Sequence, residues 1–347
     1  MFNTKHNINV IKKMNKKNKI MNKINKIKLH KFTPSWLAGF TQSDGSFMVA
    51  FEQVQKGKLA IRPRPVFNLS QSIRDLEMMK ALHHYLGCGS ITINRGNVVI
   101  NVSAINDWLN KIFPILDNTP LRGNKLLSYN ILKIVTKMME AKEHLNLEGL
   151  LKIMDISYFM NKNTTYRTQE SYQELLDILI SKHGSLPKFL PITLTNLTDI
   201  PPLNGDYIRG EIDGDGSFNV AFRKTRRRIG INFTIVHELE SISILNELVK
   251  FFNCGKVYKL SSSAAVRFQI QNVSEILNNV YPIFQNMEFN SIKQEQFKKF
   301  ITICEIINTK GYKSNIDLKT IVDLGWDMNQ DGKYRRWSKE EYVKKFT

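Results

Sequence analysis

Two stretches, DGSFMVAF at Asp44 to Phe51 and DGSFNVAF at Asp215 to Phe222, differ at one position in eight although 171 residues separate them. Chance would produce such a pair on the order of once in ten thousand chains of this length, so the match marks an internal repeat. Working outward, GCGSI at Gly87 to Ile91 answers NCGKV at Asn253 to Val257. Phe113-Pro114-Ile115 answers Tyr281-Pro282-Ile283, Lys125 answers Lys293, and Met160-Asn161 answers Met328-Asn329, each 168 residues apart. The chain is a tandem duplication.

Between the copies, residues 185 to 205 carry four prolines, which remove backbone donors and favour an extended linker. This divides the chain into a basic arm over 1–31, a first half over 32–184, a linker over 185–206 and a second half over 207–347. Each half reads as a short helix (Trp36 to Ser43; Tyr207 to Gly214), a hairpin, a helix, a second hairpin and further helices. The expected class is α+β, duplicated.

Strand patterning supplies the sheet geometry. Phe47, Val49 and Phe51 alternate with Ser46, Met48, Ala50 and Glu52, and Phe67 and Leu69 with Val66, Asn68 and Ser70. In the second half Phe218, Val220 and Phe222 alternate with Ser217, Asn219, Ala221 and Arg223. Ile229, Ile231, Phe233 and Ile235 there oppose Arg228, Asn232 and Thr234. A period of two with one apolar face predicts antiparallel sheets packed on helices, with the other face wet. That wet face holds Arg62, Arg64, Asn68, Ser70 and Asn101 in one half, and Asn219, Arg223, Arg228, Asn232, Arg267 and Gln269 in the other. Such side chains bind base edges and phosphates, although any solvated sheet carries some of them.

Charge favours the nucleic-acid reading. Fifty Lys and Arg against 31 Asp and Glu give a formal +19 over 347 residues, which points to a polyanionic partner. Met1 to Lys31 holds ten lysines and no Arg, Asp or Glu, leaving +9 for the rest. That arm suits nonspecific phosphate attraction better than a transit peptide, which would favour Arg and Ser. No apolar run is long enough to span a bilayer and no secretory signal pattern is present. Cys88, Cys254 and Cys304 have neither disulfide-framework nor zinc-site spacing, and are expected to be reduced, buried and inert.

Asp44 and Asp215 each close a short helix before a glycine. A plain Asp-Gly turn would account for one of them. An acid at a helix C-terminus, however, faces the negative end of the dipole. Two such acids meeting across a pseudo-twofold axis would repel, and divalent metal would relieve both penalties. Gly39 and Gly210 occupy matching positions and permit such close helix pairing. An EF-hand reading of DGDGSF fails, because the required sixth-position glycine is Phe218 and the twelfth-position glutamate is Lys224.

LAGFTQSDG (Leu37 to Gly45) and IRGEIDGDG (Ile208 to Gly216) resemble the motif that names the LAGLIDADG family of homing endonucleases and intron maturases. With the hairpins and the GCG and NCG turns, the resemblance covers Phe32 to about Asp331. It implies a single-chain, monomeric enzyme of two αββαββα-type halves, whose motif helices pair and whose saddle-shaped sheets straddle a long asymmetric DNA site. It further implies that Asp44 and Asp215 bind Mg²⁺ between the scissile phosphates, helped by the carbonyls of Ser43 and Gly214, with one strand cut at each centre to leave 3′ overhangs. Mn²⁺ is expected to substitute, and Ca²⁺ to bind without supporting cleavage. By position, Gln71 and His237 resemble the family's polar strand-end residue, and Lys125 and Lys293 its lysine near the metal.

Two departures stand out. Gln42 replaces an acid at motif position six, placing local packing in doubt, and Arg209 replaces alanine at position two. Both metal-binding acids are present, which favours a nuclease over an RNA-binding maturase or a noncatalytic DNA-binding regulator. Richness in Lys, Asn and Ile suits an A/T-rich coding genome, hence an organellar intron, mitochondrial rather than chloroplast.

Overall fold

Thr33 starts the first helix, its hydroxyl accepting the Trp36 N–H while Pro34 occupies the first turn, where a missing donor costs nothing. Helix α1 (Pro34–Asp44) runs directly into β1 (Gly45–Gln53), and β2 (Ile61–Ser72), α2 (Leu76–Leu86), β3 (Ser90–Asn94) and β4 (Asn97–Val102) follow. A helical passage over 105–118 leads to α3 (Gly123–Glu140), α4 (Leu147–Ser157) and α5 (Gln169–His183). The second half repeats the order with α6 (Gly205–Asp215), β5 (Ser217–Arg223), β6 (Arg228–Glu238), α7 (Ile242–Phe252), β7 (Lys256–Lys259), β8 (Ala265–Ile270) and α8 (Lys293–Lys310). Helices α9 (Asn315–Gly325) and α10 (Lys339–Phe346) complete it.

This computed structural model describes residues 30–161, 167–194, 200–223, 228–261, 264–312, 314–328 and 335–346. Residues 32–347 form one compact unit, distinct from 1–31. Residues 1–29 of the basic arm, Asn329 and the Arg223 side chain lie outside the described residues.

Each half has a four-stranded antiparallel sheet, ordered β1-β2-β4-β3 and β5-β6-β8-β7. The register pairs Phe47 with Phe67 and Phe218 with Phe233, and these rings stack at 4.9 and 5.1 Å between centroids. Trp108 and Tyr129 close the first core, and Phe252, Phe268, Phe284, Phe297 and Phe300 the second. Burying rings of this size is what holds sheet to helix, at about 2–3 kcal/mol each. Val66 is buried yet lies outside both apolar clusters, consistent with its expected place on the polar face beside Met48.

The GCG and NCG turns acquire a physical meaning. Gly87 and Asn253 cap α2 and α7 in left-handed geometry, φ +61° and +51°, and asparagine is the non-glycine that tolerates this best. Another match was not read from the sequence. Arg167 donates to the Val49 carbonyl and covers the Phe51 ring at 5.4 Å. Arg335, 168 residues on, donates to the Val220 carbonyl at 2.8 Å and covers Phe222 at 5.1 Å. The duplication therefore runs past Asp331, where the sequence resemblance was expected to end.

Helices α1 and α6 sit between the two sheets with their backbones in contact. A Cβ on Gly39 would overlap the Tyr207 carbonyl oxygen, and one on Gly210 the Trp36 carbonyl oxygen. Both helices are longer than expected, reaching Asp44 and Asp215 themselves and beginning at Pro34 and Gly205. Asn204 caps the second of them, its side chain accepting the Tyr207 N–H. Ile192, Leu194 and Ile200 of the linker pack against the core. Cys88 and Cys304 are free and buried, whereas Cys254, expected buried, is only half-covered because it sits in a surface turn. Burial raises all three thiols, to about 11, 12 and 11 respectively, which leaves little reactive thiolate.

Candidate catalytic centre and nucleic-acid face

The ends of α1 and α6 are cross-tied by a reciprocal set of bonds. Trp36 Nε1 donates to Asp213 Oδ2 at 2.8 Å, and its counterpart Tyr207 donates its hydroxyl to Gln42 Oε1 at 3.1 Å. Asp213 also accepts from the Asn290 and Ser291 N–H groups, both at 2.9 Å, and from Ser291 Oγ at 2.6 Å. Gln42 accepts the Arg122 N–H at 2.9 Å. Position six is thus a structural brace in both halves, and the amide of Gln42 performs it without a charge. Arg209, the other departure, pairs with Asp206 and donates to the Glu288 carbonyl at 2.6 Å.

This bracing delivers Asp44 and Asp215 to one shared electrostatic field. Burial, then the charge of Asp215, pushes Asp44 up to about 8, while Lys293 and Lys125 pull it back. Burial also raises Asp215, opposed by His237, Lys125 and Lys293. The helices meet tightly here: a Cβ on Gly214 would overlap Ser43 Oγ and stand 3.0 Å from Asp44 Oδ2. The two residues expected to lend carbonyls are therefore brought beside the two acids.

Lys125 and Lys293 donate to the carbonyls of Gly45 and Gly216, the glycines that follow the acids. Burial lowers both ammonium groups, making them weaker cations than surface lysines. Gln71 donates to Asp44 Oδ2 at 2.8 Å. His237 instead bonds Glu211 Oε1 at 2.6 Å; burial works against its charged form, but the Glu211 bond and charge, with Asp215, hold the imidazole above its ordinary range. A cleft of about 310 Å³ is lined by Ser43, Lys125, Asp215, His237 and Glu238.

Glu211 and Asp75 are site residues that sequence reasoning missed. Asp75 accepts the Ile292 N–H at 2.8 Å and ties the first half to the loop before Lys293. A signal for Glu211 existed, since an acid stands at the fourth motif position, where Phe40 stands in the first copy. Asp75 carried no such signal.

The polar sheet faces hold the expected residues in networks. Glu52 bridges Arg62 and Arg64 at 2.5 and 2.6 Å. Asn101 donates to Asn68 at 2.6 Å, and Gln269 to Asn232 at 2.5 Å. Ser70 is half-covered, Asn219 and Arg228 are exposed, and Arg267 Nε has no partner among the described residues. The groups left accessible on these faces remain available to a ligand.

Can the acids hold metal? Among the described residues no three or more His, Cys, Asp or Glu side chains cluster as a complete ligand set. Mg²⁺ ordinarily takes one or two carboxylates and fills its shell with water and substrate oxygens, so two half-buried acids at paired helix ends fit it. The raised Asp44 supports the fit, because a pair of carboxylates that repel one another gains from a cation between them.

Comparison with known proteins agrees with this geometry. The LAGLIDADG endonuclease family profile matches residues 37–136 and 208–304. A protein of Mycosarcoma maydis named "Probable intron-encoded DNA endonuclease 1" is 42% identical over 272 residues, covering 78% of this chain and 98% of that one. A Neurospora crassa protein, "Probable intron-encoded endonuclease 2", is 24% identical over 84% of this chain, which spans 64% of the relative's length. Among solved structures, I-SmaMI bound to an uncleaved DNA target with calcium ions superposes with a TM-score of 0.76 at 23% identity, over 86% of this chain and 99% of that one. I-GzeII in complex with its DNA target superposes with a TM-score of 0.71 at 23% identity, over 88% of this chain and all of the other.

Proposed function

Because the chain belongs to the LAGLIDADG endonuclease family, we propose that it is a homing endonuclease that hydrolyses both strands of a long, asymmetric DNA site, one strand at each acid. The observation that carries this is the delivery of Asp44 and Asp215 to one field at the ends of backbone-packed helices, between two polar-faced sheets. We take 32–184 and 207–347 as the two DNA-binding halves of a monomer, joined by the linker over 185–206, with the arm over 1–31 adding nonspecific attraction.

Asp44, Asp215 and the carbonyls of Ser43 and Gly214 would hold Mg²⁺, with Mn²⁺ able to replace it and Ca²⁺ binding without turnover. When bound, the metal lowers the pKa of water and offsets charge on the phosphate. The protein's own groups do the rest. Lys125 and Lys293, anchored on the carbonyls that follow the acids, keep positive charge beside the cut phosphates. Gln71 fixes the Asp44 carboxylate by donating to Oδ2. In each cut a water oxygen bonds phosphorus, the bond to the 3′ oxygen breaks, and that oxygen leaves as a hydroxyl after gaining a proton.

Arg62, Arg64, Asn68, Ser70 and Asn101, with Asn219, Arg223, Arg228, Asn232, Arg267 and Gln269, are the residues proposed to contact the duplex. Intron-encoded fungal relatives support an organellar, mitochondrial setting. Selecting cleaved sites from a randomised library in Mg²⁺, with Ca²⁺ as control, tests the function. Asp44→Asn and Asp215→Asn should keep DNA binding and lose cutting. Full cleavage by both variants would refute the assignment, and intron splicing that tolerates both would favour a maturase.

A further inference from the structure

We infer that Glu211 is a positioning residue that makes the two hydrolytic centres unequal: it clamps one ring nitrogen of His237 and leaves the other to hydrogen-bond the water or phosphate handled beside Asp215. The inference rests on the nuclease reading above and adds to it a chemical difference between the strands.

Strand register and motif alignment match Phe40 with Glu211, Gln71 with His237, and Asp44 with Asp215. At the Asp44 centre the strand residue holds the acid directly, Gln71 donating to Oδ2 at 2.8 Å while its own Oε1 accepts the Ser72 N–H at 2.7 Å. At the Asp215 centre the strand residue turns to the helix instead, and His237 Nε2 meets Glu211 Oε1 at 2.6 Å. Glu211 is 0% exposed, and its Oε2 has no partner among the described residues. A phenylalanine fills the equivalent place in the first half, so packing does not require an acid there, and a buried carboxylate with an unmatched oxygen is unfavourable. What the acid does supply is an acceptor that fixes the proton on Nε2 and the plane of the ring, as a carboxylate does for a working imidazole. Nδ1 is then the ring's remaining polar atom, and the ring lines the cleft shared with Asp215 and Lys125.

Two measurements test this on the full chain. In metal-free protein, ring nitrogen and proton NMR should show a downfield, slowly exchanging proton on His237 Nε2. It should be lost or move in Glu211→Gln. On a selected target duplex with each strand labelled separately, Glu211→Gln should slow the cut on one strand about tenfold and accumulate nicked product. The other strand's rate and the dissociation constant in Ca²⁺ should stay within twofold. His237→Gln, which copies the Asp44 centre, should slow the same strand, and adding Glu211→Gln to it should change nothing further. Equal slowing of both strands, no slowing, or an Nε2 without its proton in the wild-type protein would overturn the inference. Failure of the wild type to cut any DNA would instead refute the nuclease reading, and the ring spectrum would still decide the role of Glu211.

Discussion

Replacing Asp44 by asparagine should stabilise the metal-free protein, and increasingly so as pH rises. In the native state Asp44 titrates near 8 against an ordinary 3.8, chiefly because of burial and secondly because of Asp215. The folded protein therefore holds a proton that the unfolded chain releases between those values. Stability contributed by the protonated acid is complete below pH 3.8 and is lost as pH climbs through 8. The full shift corresponds to a ceiling of about 6 kcal/mol. Asp44 is only partly buried, so solvent screening should leave about half of that, roughly 3 kcal/mol. For a unit of this size that is a melting-temperature gain of about 5 °C for the variant at pH 9, shrinking to nothing near pH 4. Asparagine retains the shape and can still accept the Gln71 bond, so packing loss should not mask the effect. Thermal unfolding of both proteins in chelator, from pH 4 to pH 9, measures it. Magnesium at ten times its Kd should restore about 1.4 kcal/mol to the wild type and less to the variant, which keeps only one of the two acids. A stability difference that stays flat with pH, or a variant less stable at pH 9, would show that the acids are not held in the strained field described.

Gly39→Ala or Gly210→Ala should cost about 3 kcal/mol or more, because the new methyl group meets a backbone carbonyl that cannot move alone; calorimetry should show a melting point lower by about 5 °C. Trp36→Phe should cost about 1–2 kcal/mol in urea unfolding by removing one donor from buried Asp213, and a loss below 0.3 kcal/mol would refute the bracing role. Glu52→Gln should free Arg62 and Arg64 and tighten DNA binding several-fold at low salt, an effect that should fade in binding isotherms at 0.3 M salt.

Much of this architecture was legible because the chain states it twice. Period-two alternation identified Phe47, Phe67, Phe218 and Phe233 as core residues, and a repeated Asp-Gly located the helix ends. Gly39 and Gly210 foretold the contact between backbones because only the lack of a side chain permits it. What stayed hidden depended on partners distant in sequence. Asp75 looks like any acid near a helix start until the fold brings Ile292, 217 residues away, onto it. Gln42 read as a defect because its role is defined by Tyr207 and Arg122, and an amide can accept the same bonds as a carboxylate. Glu211 was passed over because the motif was compared with its consensus when the useful comparison was with its own twin, Phe40.

Ser43 lies against Gly214, and a side chain on both would collide. Two copies of the first half, brought together on the same axis, would set serine against serine with no bare surface to receive either. The descendants of one ancestral sequence have become lock and key. Cut at the linker and mixed, they should reassemble as an unlike pair, while the first half alone is barred from mating with itself in this geometry.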